Sequence, residues 1–384
     1  MGSRGRKIAL VCGRTSVALA SAVVIAASAL ARNAHDQVQQ GMTTTPVLSQ
    51  VATETNAPPK DDNATDILLV GDDRRTDLRG NPLPASILRQ LRTEANDGFS
   101  TDTLILLRIP KNGGKSYAVS IPRDTEVAIP GYRTDKINAA YGAVKYLTSQ
   151  RMRAAGEHNS AKIEQDSDAA GRQALVESVQ TLTGLSVDHY AEVSLYGFYL
   201  LSQAIGGVPV CLLHATSDPN SGANFRAGAQ IVSGGSALSF VRQRDNLPHG
   251  DLDRIVRQQA FLASAAKKVL SAGTLLDSAK LSALTSAVQK SVVIDQGWDV
   301  LAFVQQAQSL TDGNVEFVTI PVVTPNGRNE RGQSIVVVDP PDVQRFVAAL
   351  VSGGPAGFAA AGPLRLNAAA SSEPITINGT RCVN

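Results

Sequence analysis

The chain has 384 residues, of which 43% are hydrophobic, 18% charged and 4% aromatic, and its formal net charge is +2. That apolar share supports a sizeable core and excludes wholesale disorder, while scarce aromatics and weak charge exclude a base-stacking platform or a generally basic nucleic-acid binder. Three cysteines exclude a disulfide-dense scaffold and a closed four-thiolate zinc site.

In chain order, Arg4, Arg6, Lys7 and Arg14 precede an uncharged run of Ala, Val, Ile and Leu from Thr15 to Ala31. As a helix that run reaches ~26 Å, slightly short of a bilayer core of ~30 Å, and Arg14 can snorkel to make up the difference. The basic flank is expected to keep residues 1–14 in the cytoplasm and to send the rest of the chain outside. Residues 15–31 then form a single-pass signal anchor in the cell membrane; cleavage at Ala29-Leu30-Ala31 is the competing reading. Residues 32–63 are polar, with Gln39-Gln40, Thr43 to Thr45 and Pro58-Pro59, and read as an extracytoplasmic linker.

The apolar runs Asp66 to Gly71, Thr103 to Ile109 and Lys115 to Ile121 predict three strands, the last two joined by a hairpin at Asn112-Gly113-Gly114. Helical periodicity follows at 136–149 and 170–182. Strands are predicted at 189–193 and 208–213, around a helix at 196–205 that stops at Gly206-Gly207. Residues 251–270 form a strongly amphipathic helix, with Asp251 at its start and Lys267-Lys268 at its end to suit the helix dipole. Further helices are predicted at 276–289, 298–310 and 341–351, and strands at 315–320 and 334–338. This alternation predicts one α/β domain over 64–352, a layered α-β-α fold with a central mixed sheet. The Ala/Gly/Pro-rich tail, 353–384, is expected to be mobile over 353–372.

Several familiar chemistries are missing: the sequence holds no G-x-S-x-G, H-E-x-x-H or C-x-x-C. What remains is acids and arginines at element ends. Asp72-Asp73-Arg74-Arg75 follows the first strand, Asp102 opens the second, and Arg123-Asp124 closes the third. Arg242-Gln243-Arg244 precedes a loop, and Asp251, Arg254 and Gln258 share one helix face at i, i+3 and i+7. Arg242 and Arg244 share a face if their segment is extended. Guanidinium forks bind phosphate oxygens bidentately, and two carboxylates can hold Mg²⁺ while it keeps water and phosphate ligands. The set therefore reads as a site for a phosphate-rich ligand, against the alternative that each charge is merely solvated.

The pieces DILLVGDDRR, STDTLILLRIP, SIPRD, HYAEVSLYGFYLL and RQRDNLPHGDLDRIVRQQ, in this order across about residues 64–270, resemble the LytR–CpsA–Psr family of cell-wall proteins, most closely its actinobacterial members. The resemblance implies a Mg²⁺-dependent phosphotransferase. Its donor would be a polyprenyl-pyrophosphate-linked glycan, arabinogalactan-like by analogy, and its acceptor a peptidoglycan hydroxyl; polyprenyl phosphate is released, and no nucleic acid is involved. Carried over by motif, Asp73 and Asp102 hold the metal. Arg123, Arg242, Arg244, Arg254 and Gln258 bind the pyrophosphate, with Arg75 beside them, and Asp251 is a site acid. Asp124 or Asp251 takes the acceptor's proton. Many relatives carry an arginine where this chain has Ser100. Tyr117, Tyr141, Val193, Leu195, Phe198 and Leu201 are candidates for a slot holding the polyprenyl tail. Two rival functions use parts of the same set: a lipid pyrophosphate hydrolase and a non-enzymatic binder of anionic wall polymer. Arg257, adjacent to Gln258, has no role in the pattern, and its loss is expected to cost little if it lies at the surface. Cys211 and Cys382 lie in a disulfide-permissive compartment; a bridge would pin the tail, and the alternative is two free thiols.

Overall fold

The computed structural model describes residues 41–52, 58–59, 62–94, 99–111, 113–271, 277–299, 303, 315–352, 374–377 and 380–384. The expected anchor and its cytoplasmic flank lie outside these residues, as does most of the helix expected at 298–310. Among the described residues no helix is long and apolar enough to cross a membrane.

In chain order the elements are β1 (Thr43–Thr45), α1 (Val47–Val51), β2 (Ala64–Asp72), α2 (Ala85–Gln90), β3 (Thr101–Pro110), β4 (Ser116–Ile121), β5 (Glu126–Ala128) and β6 (Thr134–Lys136). Next come α3 (Ala139–Ala154), α4 (Ser160–Thr183), β7 (His189–Ser194), α5 (Leu195–Ala204), β8 (Val208–Leu212), β9 (Thr216–Asp218), β10 (Ala223–Phe225) and β11 (Gly228–Val232). The remainder is α6 (Gly235–Arg242), α7 (Asp251–Val269), α8 (Ser278–Ser291), β12 (Val292–Asp295), β13 (Val315–Thr319), β14 (Thr324–Arg328), β15 (Ser334–Val337), α9 (Pro340–Ser352), β16 (Ile375–Thr376) and β17 (Cys382–Val383).

Eight strands form the main sheet in the order β1-β12-β7-β2-β3-β4-β13-β16. It is mixed, as expected: β2 runs antiparallel to β3 and parallel to β7, and β4 runs antiparallel to β3 and parallel to β13. Alternation along the central strands sends side chains to opposite faces. Leu68 and Val70, Leu104 and Leu106, and Tyr117 and Val119 pack into one core with α4 and α9. Their neighbours Ile67, Leu69, Ile105, Leu107 and Ala118 belong to smaller clusters on the other side, with β12, α5, α7 and α8. Those two sides are the layers anticipated from the sequence.

At the domain's edges the linker expectation needs correction, and the bridge weighed for the tail is present. The linker expected over 32–63 is partly folded: Thr43–Thr45 pairs in parallel with β12, and Val47 and Val51 are buried in the core. Three β-branched threonines and a short apolar turn accomplish this inside a stretch that looks polar on average. The tail is likewise folded at its end. β16 extends the main sheet, β17 lies beside β8, and Cys211 is bonded to Cys382. The part expected to be mobile, 353–372, lies outside the described residues.

Helix α4 begins ten residues before its predicted start. Asn159 caps it by accepting from the Lys162 N–H, and Gly184, with φ 70°, closes it. Its polar first turns hid it from a periodicity argument.

Candidate active site

The loop after β2 divides its charges by the same alternation that divides the sheet. Asp72 and Arg74 turn toward the filled face, and Asp73 and Arg75 toward the hollow one. Arg74 bonds Asp72 at 3.0 Å and also donates to Glu192 of β7. Glu192 in turn accepts from Arg172 at 2.8 and 3.1 Å and from the Tyr190 hydroxyl at 2.7 Å. Burial alone would push Glu192 up, but Arg172 and Arg74 outweigh it and hold the carboxyl at about 2. This cluster was not anticipated. Its signals were an isolated glutamate in the apolar run HYAEVS and an arginine on the inward side of α4.

Asp73 is stapled to the start of β3: its N–H donates to the Ser100 carbonyl at 3.0 Å, and its Oδ1 accepts the Ser100 N–H at 2.7 Å. Ser100 Oγ donates to Asp102 Oδ1 at 3.1 Å. Ser100 therefore ties both expected metal acids together. Asp102 also accepts from Arg123 at 2.9 Å. Arg123 Nε then lies 3.6 Å from Asp251, and Asp251 lies 2.7 Å from Arg254 Nη2. Gly250 supplies the φ of 55° with which the chain turns into α7, and so places Asp251 and Arg254 at this junction.

Cations are crowded here. Burial pushes Arg254 down and the charge of Arg123 adds to that, with Asp251 and Asp102 opposing. Burial likewise lowers Arg242, and Arg75 lowers it further. The Nε atoms of Arg75, Arg123 and Arg254 are buried without a hydrogen-bond partner among the described residues, as are both carboxylate oxygens of Asp251. Unsatisfied buried guanidinium donors that repel one another suit a multiply charged anion.

Asp73 is raised by burial first and by the charge of Asp102 second. A divalent cation between them would relieve that repulsion. Among the described residues no three His, Cys, Asp or Glu side chains cluster as a closed metal cage. Two carboxylates with the rest of the shell left to water and phosphate fit Mg²⁺, which dehydrates reluctantly.

This mouth opens into a cavity of about 540 Å³. Asp73, Arg75, Asp102, Arg242, Arg254 and Gln258 line its polar end; Leu69, Ile105, Val193, Phe198, Leu201 and Phe261 line its interior. Of the residues expected for an apolar slot, Val193, Leu195, Phe198 and Leu201 are there. Tyr117 and Tyr141 are not: both belong to the core on the opposite face, and the Tyr141 hydroxyl is bonded to Asp168 at 2.7 Å.

The remaining expected residues lie around the rim. Asp124 pairs with Lys136 at 3.1 Å. Arg242 ends α6 rather than lying in an extended segment, so Arg242 and Arg244 do not share a face. Arg242 reaches the cavity, whereas the Arg244 side chain is 55% exposed, with Asp245 at 3.9 Å. The condition of surface exposure is not met at Arg257. It is fully buried over the Phe240 ring, donates to Gln243 at 2.7 Å and to the Asn384 carbonyl, and burial pushes it down to about 10. Counted from Arg254, it sits on the inward face of an amphipathic helix.

The sequence profile described as the LytR_cpsA_psr family matches residues 21–351. The chain is 50% identical over 285 residues to the cell wall biosynthesis protein LcpA of Corynebacterium glutamicum, covering 74% of this chain and 55% of that protein. It is 32% identical over 232 residues to the polyisoprenyl-teichoic acid–peptidoglycan teichoic acid transferase TagU of Oceanobacillus iheyensis, covering 58% and 59% respectively. It thus spans about half the length of the curated relatives it matches. The solved LytR-Csp2A-Psr enzyme from Actinomyces oris shares the fold, with a TM-score of 0.54 at 17% identity over 82% of this chain and 97% of that one.

Proposed function

The chain belongs to the LytR–CpsA–Psr family, and from that premise we propose that it transfers a glycan phosphate from a polyprenyl-pyrophosphate carrier to a hydroxyl of peptidoglycan. The observation that carries this reading is the join between two environments. An arginine-crowded mouth leads directly into an apolar cavity, which suits an amphiphile with a pyrophosphate head and a hydrocarbon tail. The printed name of the TagU relative, a polyisoprenyl-linked donor and a peptidoglycan acceptor, agrees with it.

Arg75, Arg242 and Arg254 receive the pyrophosphate oxygens, and Gln258 adds a neutral contact. The acceptor oxygen attacks the glycan-linked phosphorus; a new P–O bond forms and the bridging P–O bond to the polyprenyl phosphate breaks. Charge spreads over the phosphoryl oxygens in that transition state, where fixed guanidinium groups stabilise it more than the ground state. Asp251, ion-paired with Arg254, or Asp124, ion-paired with Lys136, takes the acceptor proton. Asp73 and Asp102 would hold a Mg²⁺ ion, which when bound would add positive charge beside those oxygens. Arg123 links Asp102 to Asp251 and keeps both aimed at the mouth. No thiol, histidine or elbow serine has a role as nucleophile, so transfer is direct. The anchor expected at 15–31 holds the domain outside the membrane, beside the wall acceptor; an arabinogalactan-like donor remains the reading by analogy.

The test is product analysis with a labelled lipid-linked glycan. Label should move to peptidoglycan only when acceptor is present, and chelation, Asp73→Ala or Asp102→Ala should abolish transfer without unfolding the chain. Release of glycan phosphate to water at an equal rate without acceptor would make the protein a hydrolase. Binding with no turnover at all would make it a polymer binder.

A further inference from the structure

The family profile stops matching at residue 351, yet the chain returns to the cavity after that point. Thr376 on β16 pairs with Glu316, Glu316 with Tyr117, and Tyr117 with Arg108. Arg108 is six residues along β3 from Asp102 (108 − 102), roughly 20 Å at ~3.4 Å per residue. The returning segment therefore joins the edge of the sheet well away from the charged mouth. Directly after β16, Ile377 is 4% exposed and lines the cavity. It packs between Ile105, Ala118 and Val315 of the sheet and Leu262 and Ala266 of α7. The helix gives a similar depth: Ala266 lies twelve residues beyond Arg254 (266 − 254), roughly 18 Å at ~1.5 Å per residue.

Three fastenings hold this strap. β16 is paired to β13, Cys382 is bonded to Cys211 with β17 beside β8, and the Asn384 carbonyl accepts from buried Arg257. A branched aliphatic side chain so fixed in the apolar lining, well away from the mouth, gives the cavity a fixed boundary there.

We propose that Ile377 is a specificity-determining residue that sets the length of hydrocarbon the cavity accepts, with the bridged strap as its mount. The proposal rests on the lipid-pyrophosphate reading of the mouth. A larger side chain at 377 shortens the apolar run available to the tail; a smaller one deepens it. The headgroup contacts, some 20 Å away, are untouched.

The experiment measures equilibrium binding of geranyl, geranylgeranyl and undecaprenyl pyrophosphate to the purified full chain. In Ile377→Trp, affinity for the two longer lipids should fall about tenfold, the scale of overpacking a filled site, while that for geranyl pyrophosphate holds. Ile377→Ala should move the long-to-short ratio the opposite way. Cys211→Ser combined with Cys382→Ser should flatten the ratio by releasing the wall. A long-to-short ratio unchanged in both Ile377 variants, with the wild type still binding, overturns the proposal; if the Trp variant does not fold, an unchanged ratio in the Ala variant alone overturns it. Failure of the wild type to bind any of the three instead overturns the lipid reading on which the proposal stands.

Discussion

The two faces of the main sheet are made by the same strands and the same alternation, yet one is filled and the other hollow. On the filled face Leu68, Leu106 and Val119 are at 0% exposure beneath α4 and α9, and the buried charges are paired, in the cluster around Glu192 and in the Asp66–Arg108 pair. On the hollow face Leu69, Val193 and Leu201 are half-buried around a cavity whose mouth holds guanidinium groups with unmet hydrogen bonds. The lesson is that charge density alone does not mark a site. Arg74 and Arg172 are as buried as Arg254, but their Nε donors have carboxylate partners, whereas Arg254 meets Asp251 through Nη2 and its Nε has no hydrogen-bond partner among the described residues.

The sharpest way to break this contrast is to remove Glu192. Glu192→Ala should cost about 3–5 kcal/mol in urea denaturation, because two buried guanidiniums lose their counter-charge. The same carboxyl gives a pH signature. Its folded value of about 2 lies below the ordinary 4.5, so the stability it contributes is full above 4.5 and is lost as pH falls from there toward 2. Asp72 works in the opposite sense. Burial, opposed by Arg74 and helped by Glu192, pushes it up to about 6, so its ionisation costs stability as pH rises from 3.8 through that value. Glu192→Gln should remove the acid-side loss; an unchanged acid limb would refute the closed-cluster picture.

Next in size is a matched pair of truncations. Leu106→Ala on the filled face should cost about 2–5 kcal/mol. Leu201→Ala, already facing open space, should cost under about 1 kcal/mol and instead weaken binding of a prenyl pyrophosphate. Equal stability losses would remove the distinction between the faces.

Within the hollow face, Arg254→Ala should slow transfer about a hundredfold or more, with Arg254→Lys recovering only part, since an ammonium lacks the bidentate fork. Arg244→Ala should cost less than about tenfold, because its side chain is largely in solvent. Comparable losses at 244 and 254 would mean that Arg244 folds inward onto the donor. Smallest among these, Arg257→Ala should leave the mouth chemistry in place and lower stability by about 1–3 kcal/mol, the cost of stranding the Gln243 and Asn384 acceptors.

Much of this was legible in the sequence. The central strands, α7 and the residues that meet at the mouth each carry a periodic or end-of-element signal. What stayed hidden has physical reasons. Strands of three residues, such as β5, β6 and β9, are too short to show alternation. Arg244 was placed beside Arg242 on the assumption of an extended segment, but α6 runs through Arg242 and rotates the two apart. Arg257 reads as surface because it is charged, and only the fold reveals the carbonyl that receives it. The strap joins residues far apart in sequence, which no local pattern encodes; only the cysteine count hinted at it.

The central claim is that the open face holds a polyprenyl-linked phosphate, with the head at the arginines and the tail in the cavity. Native mass spectrometry of the full chain, extracted from its own membranes, tests this most directly. The account predicts an adduct with the mass of a polyprenyl phosphate or pyrophosphate, retained in Glu192→Gln and lost in both Arg254→Ala and a cavity-filling Leu201→Trp. A wild-type chain that carries no such adduct and takes none up when offered undecaprenyl pyrophosphate would contradict it.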